Sequence, residues 1–535
     1  MTRRAISPLW IIIAASLWMA LAGNVALWRQ FGNLGLLEGG RGWGFAGAML
    51  LIIWAALAAI LGLLAWKLTL KPAVTLLIIS TALGSHFMLS YGVVIDPGMI
   101  TNALQTDAHE AGALANGQLL GAVLLLALLP TWLLWRQPVS YGSARRQLWR
   151  NPAVSVVSLL VLVLASVASF QTLASVMRNH KEVRYLINPL NSIYAVARVA
   201  IKPLQRDGGK VAPLGEDARL GKSFAGRARP PLLVLVLGET GRAGNFGLNG
   251  YDRPTTPELE REKVASFRNA WSCGTSTAAS VPCMFSHLGR AHFEDRPTEV
   301  EGLMDVLQRS GLAVLWLDNQ SGCKGVCDRV PSASTCAAGD CLDAVMLDGL
   351  DERFKALDAA RRARGTVIVM HQMGSHGPAY HLRSPAAQKR FMPECTGTAL
   401  QDCDRQAVVN AYDNSIAYTD HFLGRTIAWL KRHESEADTA MVYVADHGES
   451  LGENNLYLHG MPYAVAPDVQ KRVPWITWLS ASWEKSTGLT TGCLHSGRDA
   501  AISHDNFFHS VLGMMDVETK VYRAGMDVYA PCRAG

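Results

Sequence analysis

The first 272 residues contain no cysteine, and the first 177 hold only four acidic residues, Glu38, Asp96, Asp107 and Glu110. No Asp or Glu stands near Arg3 and Arg4, between Lys67 and Lys71, or from Arg136 through Arg145 and Arg146 to Arg150. The chain also lacks any long run of Lys and Arg, and its net charge is only +6 over 535 residues. These absences argue against a nucleic-acid partner. They fit a basic surface that faces anionic lipid headgroups.

Apolar residues are abundant. They make up 49% of the chain, and a mean hydropathy of +0.13 is high for a wholly soluble protein. Uncharged apolar runs occupy Leu9 to Trp28, Gly42 to Trp66, Pro72 to Ile95, Ala113 to Trp135 and Ala153 to Met177. About 20 helical residues cross a hydrocarbon core of ~30 Å, so the runs predict five transmembrane helices within a membrane domain over 1–177. Trp28, Trp43, Trp66 and Trp135 sit near run ends, where indoles favour the headgroup boundary. The N-terminus and the second and fourth loops are purely basic, while the third loop carries Asp96, Asp107 and Glu110 and no Lys or Arg. The positive-inside rule therefore predicts a cytoplasmic N-terminus, and five spans put everything after Met177 outside. The first span is too long for a signal-peptide core and reads as uncleaved.

Residues 178–231 read as interfacial amphipathic helices followed by a linker: basic residues mix with Tyr185, Leu186, Tyr194 and Val199 up to Leu204, then Gly, Pro and charge take over. Residues 232–535 read as a separate catalytic domain. All ten cysteines fall there, as near neighbours Cys273/Cys283, Cys323/Cys327, Cys336/Cys341 and Cys395/Cys403, with Cys493 and Cys532 left over as a fifth candidate pair. An even number confined to one region predicts a disulfide framework in an oxidising compartment. A zinc-thiolate site at Cys323 and Cys327 competes with that reading, but no second close Cys/His pair stands at suitable spacing.

Four apolar runs, Leu232–Leu237, Ala313–Leu317, Thr366–Met370 and Ala440–Val444, are separated by helix-length segments and predict a mostly parallel sheet with helices on both faces. Polar residues follow the runs: Glu239, Asp318, His371, then Asp446 and His447. In open α/β sheets such residues converge at the carboxyl ends of the strands. Glu239, Asp446 and His447 form a donor set suited to zinc and leave one position for a reacting oxygen. His376 and His459 could bind phosphate or a second metal. Between Cys273 and Cys283 lie Thr275, Ser276, Thr277 and Ser280. Such loops are commonly solvated turns, but beside zinc a hydroxyl becomes a nucleophile. Lys324 could take further phosphate charge.

Gly238-Glu-Thr240, Cys273-Gly-Thr-Ser-Thr277, Ser280-Val-Pro-Cys-Met-Phe285, Cys323-Lys-Gly325, His371-Gln-Met-Gly to His376-Gly-Pro-Ala-Tyr380, Asp446-His-Gly-Glu-Ser-Leu-Gly-Glu453 and Tyr457-Leu-His-Gly-Met-Pro462 resemble the lipid A phosphoethanolamine transferases, a family that includes the mobilised colistin-resistance enzymes. The resemblance spans nearly the whole chain. It implies an alkaline phosphatase/sulfatase-like outer domain, with Thr277 as the nucleophile and Glu239, Thr277, Asp446 and His447 around a catalytic zinc, with room for a second. It further implies phosphate or second-metal roles for Lys324, His376, His459 and Gln320, and donor-lipid contacts at Asn102 and Glu110. A Cys273–Cys283 disulfide beside the nucleophile is also implied. The expected activity is transfer of phosphoethanolamine from phosphatidylethanolamine to lipid A in lipopolysaccharide, at the periplasmic face of a bacterial inner membrane, with lowered surface charge and polymyxin resistance as the consequence. Alternatives are a core-sugar or glycan acceptor, a phosphoglycerol transferase, or a hydrolase of phosphatase type. The chain departs from the family pattern at Gly241 and Gly244, where larger and acidic residues are common, and at Gln320, which is Asn in some members.

Overall fold

The structure is a computed structural model that describes residues 4–106, 111–112, 114–201, 210–224, 229–336 and 341–533. The chain divides into two compact units, Met1–Ile100 with Leu114–Ala200, and Thr101–Ala113 with Ile201–Gly535.

In the first unit, α1 (Pro8–Asn33), α2 (Gly39–Leu63), α3 (Leu70–Ser90), α4 (Gly117–Arg136) and α5 (Ala144–Ala168) are long and apolar enough to cross a membrane. Ser7 starts α1 by accepting from Leu9 N, with Pro8 in the first turn where its missing N–H costs nothing. Small residues let α2 and α5 approach. A Cβ on Gly62 would fall 2.6 Å from Ser155 Oγ, and that hydroxyl donates to Ala59 O at 2.8 Å. The last span is displaced from the hydropathy reading. It begins at Ala144 rather than Ala153, ends at Ala168, and is followed by a separate helix, Phe170–Asn179. Hydropathy misses its first turns because Arg145, Arg146 and Arg150 are helical, although charged ends belong at headgroup depth.

Basic ends of this unit meet one another. Arg150 donates to Ser7 Oγ at 2.6 Å, Lys71 Nζ to Gln137 O at 2.9 Å, and Gln137 Nε2 to Arg4 O at 2.8 Å. The N-terminus and the two basic loops therefore share one end. Elsewhere Asn188 N donates to Asn24 Oδ1 at 2.9 Å, and Asn188 Nδ2 to Gly23 O at 3.0 Å and Thr81 O at 2.8 Å, tying the segment after the fifth span to α1 and α3. The expected interfacial segment forms a turn, Lys181–Leu186, and a helix, Leu190–Ile201, whose Tyr194, Val196 and Ile201 remain exposed.

The second unit is built on eight strands: β1 (Pro231–Gly238), β2 (Ala265–Trp271), β3 (Ala313–Asp318), β4 (Ser332–Ser334), β5 (Thr366–His371), β6 (Asp438–Ala445), β7 (Arg472–Leu479) and β8 (Ile502–Ser503). Their order is β8-β2-β7-β6-β1-β5-β3-β4. Only β7 runs antiparallel to its neighbours. Every residue of central β1 is buried, as its continuous Leu/Val run requires of a strand covered on both faces. The helix α7 (Arg405–Arg432), started by Asp404 accepting from Gln406 N, buries eighteen residues. Because β1, β2, β3, β5 and β6 are parallel, their carboxyl ends open onto one edge.

The cysteines join as Cys273–Cys283, Cys323–Cys327, Cys336–Cys341, Cys395–Cys403 and Cys493–Cys532. The stretch read as a linker is partly stitched down: Val211–Ala212 pairs with Glu299–Val300, and Arg219–Leu220 pairs with Val517–Glu518. Two-residue strands carry no periodicity, and their partners are remote in sequence, so composition alone gives no sign of them.

Candidate metal centre and nucleophile

Four side chains meet at the carboxyl edge of the sheet. Glu239 follows β1, Asp446 and His447 follow β6, and Thr277 opens the helix α6 (Thr277–Met284) after β2. Thr277 Oγ1 lies 3.1 and 3.0 Å from the two oxygens of Glu239 and 3.5 Å from His447 Nε2. His447 Nε2 is 3.3 Å from Glu239 Oε1 and 3.3 Å from Asp446 Oδ2. All four residues are buried.

The chemistry of this donor set fits a metal. His447 Nδ1 makes a 2.9 Å bond to Gly448 O, which places the proton on Nδ1 and turns the Nε2 lone pair toward the carboxylates. Asp446 Oδ2 is buried without a hydrogen-bond partner. A lone pair on nitrogen, two carboxylates and one hydroxyl thus share a space with too few protons to satisfy them. Without a cation, protons must compensate. Burial and the charge of Glu239 push Asp446 up to about 7. Against the effect of burial, Asp446 and Glu239 push His447 up to about 10. Glu239, which burial would raise, is held well below the usual range by its hydrogen bond to His447 and by the charges of His447, His376 and His459. A dication would replace those protons.

Backbone geometry fixes these side chains. Thr240 sits at φ 57°, strained for a β-branched residue, and is held there by its N–H donating to Asp446 Oδ1 at 3.1 Å and by Tyr412 OH donating to its carbonyl at 2.6 Å. Gly374, at φ +53°, lies against β1, where a Cβ would come within 2.6 Å of Glu239 O. Only glycine lets the loop after β5 pass so close.

Gln320 Nε2 donates to Glu239 Oε2 at 2.9 Å. The His459 ring lies 4.3 Å from that of His447 and 5.4 Å from that of His376, so both expected histidines adjoin the centre. Lys324 Nζ is held by Ser321, at 2.8 Å from its hydroxyl and 3.1 Å from its carbonyl, one residue from Gln320. Asn102 lies on the helix Pro97–Gln105, where its carbonyl accepts from Thr106, and it forms no hydrogen bond to the cluster. Glu110 lies outside the described residues.

Sequence reasoning missed two supports, Glu449 and His504, and it placed Asp318 and His371 at the strand ends without their pairing. Glu449 accepts from Tyr380 OH at 2.5 Å and lies 2.8 Å from His459 Nδ1, and with His447 and His459 it forms a second group able to hold a cation. Buried His371 bonds Asp318 at 3.0 Å, Asp318 also accepts from Trp316 Nε1, and His371 Nε2 has no partner. Asp318 and His371 end their strands, as expected, and Glu449 follows the end of β6, a placement that could have revealed it. His504 accepts from Cys273 N at 3.1 Å and donates to Ala445 O at 3.0 Å, and burial holds it down to about 3, so it is a neutral clamp between the Cys273–Cys283 loop and the end of β6. Nothing in the sequence distinguishes it.

Comparison with known proteins gives a consistent result. The phosphoethanolamine transferase EptA/EptB family matches residues 53–204, and the sulfatase family matches 231–517. Phosphoethanolamine transferase EptA of Escherichia coli K12 is 37% identical, with the alignment covering 98% of this chain and 96% of that one. Phosphatidylethanolamine transferase Mcr-1 of Escherichia coli is 36% identical over 96% of each. The integral membrane lipooligosaccharide phosphoethanolamine transferase A of Neisseria meningitidis superposes with a TM-score of 0.93 at 33% identity, covering 99% of this chain and all of that one.

Proposed function

The chain belongs to the phosphoethanolamine transferase family, and on that premise we propose that it carries phosphoethanolamine from phosphatidylethanolamine to a phosphate of lipid A by way of Thr277. The observation that carries the reading is the position of Thr277 Oγ1, about 3 Å from both oxygens of Glu239 at the start of a helix.

Glu239, Asp446, His447 and Thr277 would hold a zinc ion, which when bound lowers the pKa of an adjoining alcohol and offsets charge on a phosphoryl oxygen. Thr277 Oγ1 attacks the phosphorus of the donor, the bond to diacylglycerol breaks, and phosphoethanolamine remains on the threonine. The hydroxyl proton, directed at Glu239, passes to the departing diacylglycerol oxygen, with His459 and His376 beside the centre as carriers. An oxygen of the acceptor phosphate then attacks the same phosphorus and frees Thr277. Two displacements at one nucleophile give ping-pong kinetics. Gln320 orients Glu239, and Lys324 supplies positive charge to the phosphoryl group. Asn102 and Glu110 contact the donor headgroup.

The relatives' names support donor and acceptor: Mcr-1 is a phosphatidylethanolamine transferase, and a protein of Escherichia coli K12 that is 28% identical is a Kdo(2)-lipid A phosphoethanolamine 7''-transferase. The latter name supports a sugar hydroxyl as the second acceptor reading. The shared basic end of the first unit supports a cytoplasmic N-terminus in the inner membrane, and the five disulfides support a periplasmic catalytic unit. The domain limits proposed are 1–177, 178–231 and 232–535. Masking lipid A charge would weaken binding of cationic polymyxins.

Mass spectrometry of lipid A from cells expressing the chain or its Thr277→Ala variant tests the function. Phosphoethanolamine gained only with the intact threonine is expected. Unmodified lipid A with a modified core sugar would shift the acceptor, and transfer by Thr277→Ala would defeat the mechanism.

A further inference from the structure

A cavity of about 220 Å³ opens beside the middle of β2 and the start of β7, lined by Gly244, Asn249, Tyr251, Asp252, Arg268 and Arg472 together with two neighbours. Arg472 and Trp271 face each other in register, and Ser272 N donates to Lys471 O at 2.7 Å. Arg268 stands mid-strand in β2 and Arg472 opens β7 opposite Trp271, so the cavity flanks the half of β2 that leads into the Thr277 loop.

Its free donors are two guanidinium groups. Arg472 reaches Arg268 O at 2.7 Å and lies 6.0 Å from the Trp271 ring, while Arg268 Nε is buried without a hydrogen-bond partner. Among the described residues neither arginine is paired with a carboxylate. The other polar groups are engaged: Asn249 accepts from Ser266 Oγ and donates to Ala243 O, and Tyr251 OH donates to Asp413. Asp252 is the one acid lining the cavity, so the balance is positive. Gly244 adds no side chain, and a Cβ there would meet nothing within 4 Å. Space, two planar forks and an unsatisfied buried N–H match a phosphate dianion.

We propose that this cavity holds a phosphate of the acceptor glycolipid other than the one that reacts at Thr277. The proposal rests on the functional reading above, because it supplies that reaction with a second contact to a bisphosphorylated acceptor. An anion held here would fix the sugar backbone while the reacting phosphate approaches the threonine.

The test uses the full-length protein in vesicles containing phosphatidylethanolamine, with lipid A carrying two phosphates or either single phosphate as acceptor. The wild type should show a KM about tenfold to a hundredfold lower for the bisphosphate, the range of a charge-assisted hydrogen-bond pair. The double variant Arg268→Ala with Arg472→Ala, and separately Gly244→Asp, should erase that preference. Neither should alter kcat or the release of diacylglycerol before acceptor is added. Equal KM values in the wild type, or a preference that survives in the variants, would overturn the proposal while leaving the function intact. Loss of diacylglycerol release in the variants would reduce the arginines to a structural role. Inorganic phosphate that competes with both acceptor forms alike would make this a free-phosphate site. Transfer to neither acceptor by the wild type would defeat the functional reading as well.

Discussion

The two units differ in what they bury. Among the described residues, the first buries Asn, Gln, Ser, Thr and His but no Asp, Glu, Lys or Arg, whereas the second buries ten carboxylates and no Lys or Arg. In an apolar environment a neutral amide can donate its N–H groups to backbone carbonyls, as Asn24 and Asn188 do. A buried carboxylate needs more. Asp305, Asp413, Asp438 and Asp527 take it from the half-buried arginines Arg329, Arg253, Arg229 and Arg533, and Asp343 and Asp420 take it from backbone N–H groups. Glu239, Asp446 and Glu449 have no arginine or lysine and meet only imidazoles, hydroxyls, amide groups and each other. The difference separates carboxylates paired by arginine or backbone from the cluster proposed to hold a cation, and Asp318, bonded to Trp316 and His371, stands between them.

The sharpest way to break this comparison is to remove the nucleophile while leaving the acids in place. Thr277→Ala should lower transfer roughly a thousandfold or more, and because Thr277 is one of the four residues proposed to hold zinc, it should also weaken metal binding, less than loss of Asp446 does, with the melting temperature of the zinc-saturated protein unchanged. Asp446→Asn removes a proposed metal ligand and should cost at least about a hundredfold in metal affinity, read by competition with a chelator, with activity falling in parallel. Proton linkage gives the third test. In the metal-free protein both Asp446 and His447 are raised, so the stability they contribute is fully present at low pH. It is lost as pH climbs through about 7 for Asp446 and about 10 for His447. With metal bound the trend reverses, because protons compete for the same atoms as pH falls. Melting curves from about pH 6 to 9, with and without chelator, should therefore slope in opposite directions, and parallel slopes would show that no cation replaces the protons.

Arg253→Met supplies the contrast. It takes from Asp413 the guanidinium 2.5 Å away, leaving Asn245 and Tyr251 as donors, and should cost about 2 kcal/mol of stability, reduced from the fully buried case because Arg253 is partly exposed, with metal content unchanged. The smallest effect belongs to the first unit, where Asn24→Leu should cost about 1 kcal/mol in detergent, the usual size of a hydrogen-bond loss between membrane helices.

Much of the candidate site was legible because parallel strands deliver the residues that follow them to one edge. Glu239, Asp446 and His447 could be placed by counting from the ends of apolar runs, and the spacing of the cysteines matched the pairs that formed. Apolar length located the five spans, though not the charged first turns of α5. What could not be read was whatever depends on contacts distant in sequence. His504 clamps Cys273 from 231 residues away, and the two-residue strands at Val211 and Arg219 find partners on segments with no strand signal. Glu449 was visible two residues beyond His447, but only the fold shows that Tyr380 and His459 complete its surroundings.

The central claim is that Thr277 carries the transferred group. Its most direct test is to incubate the zinc-loaded protein with phosphatidylethanolamine and no acceptor, quench, and sequence the peptide spanning Cys273–Cys283 by mass spectrometry. The account predicts that Thr277 has gained the mass of one phosphoethanolamine group, that diacylglycerol is released in equal amount, and that adding acceptor discharges the threonine. An unmodified Thr277 in a preparation that still transfers phosphoethanolamine when acceptor is added would mean that the group passes directly from donor to acceptor, and the account would be wrong.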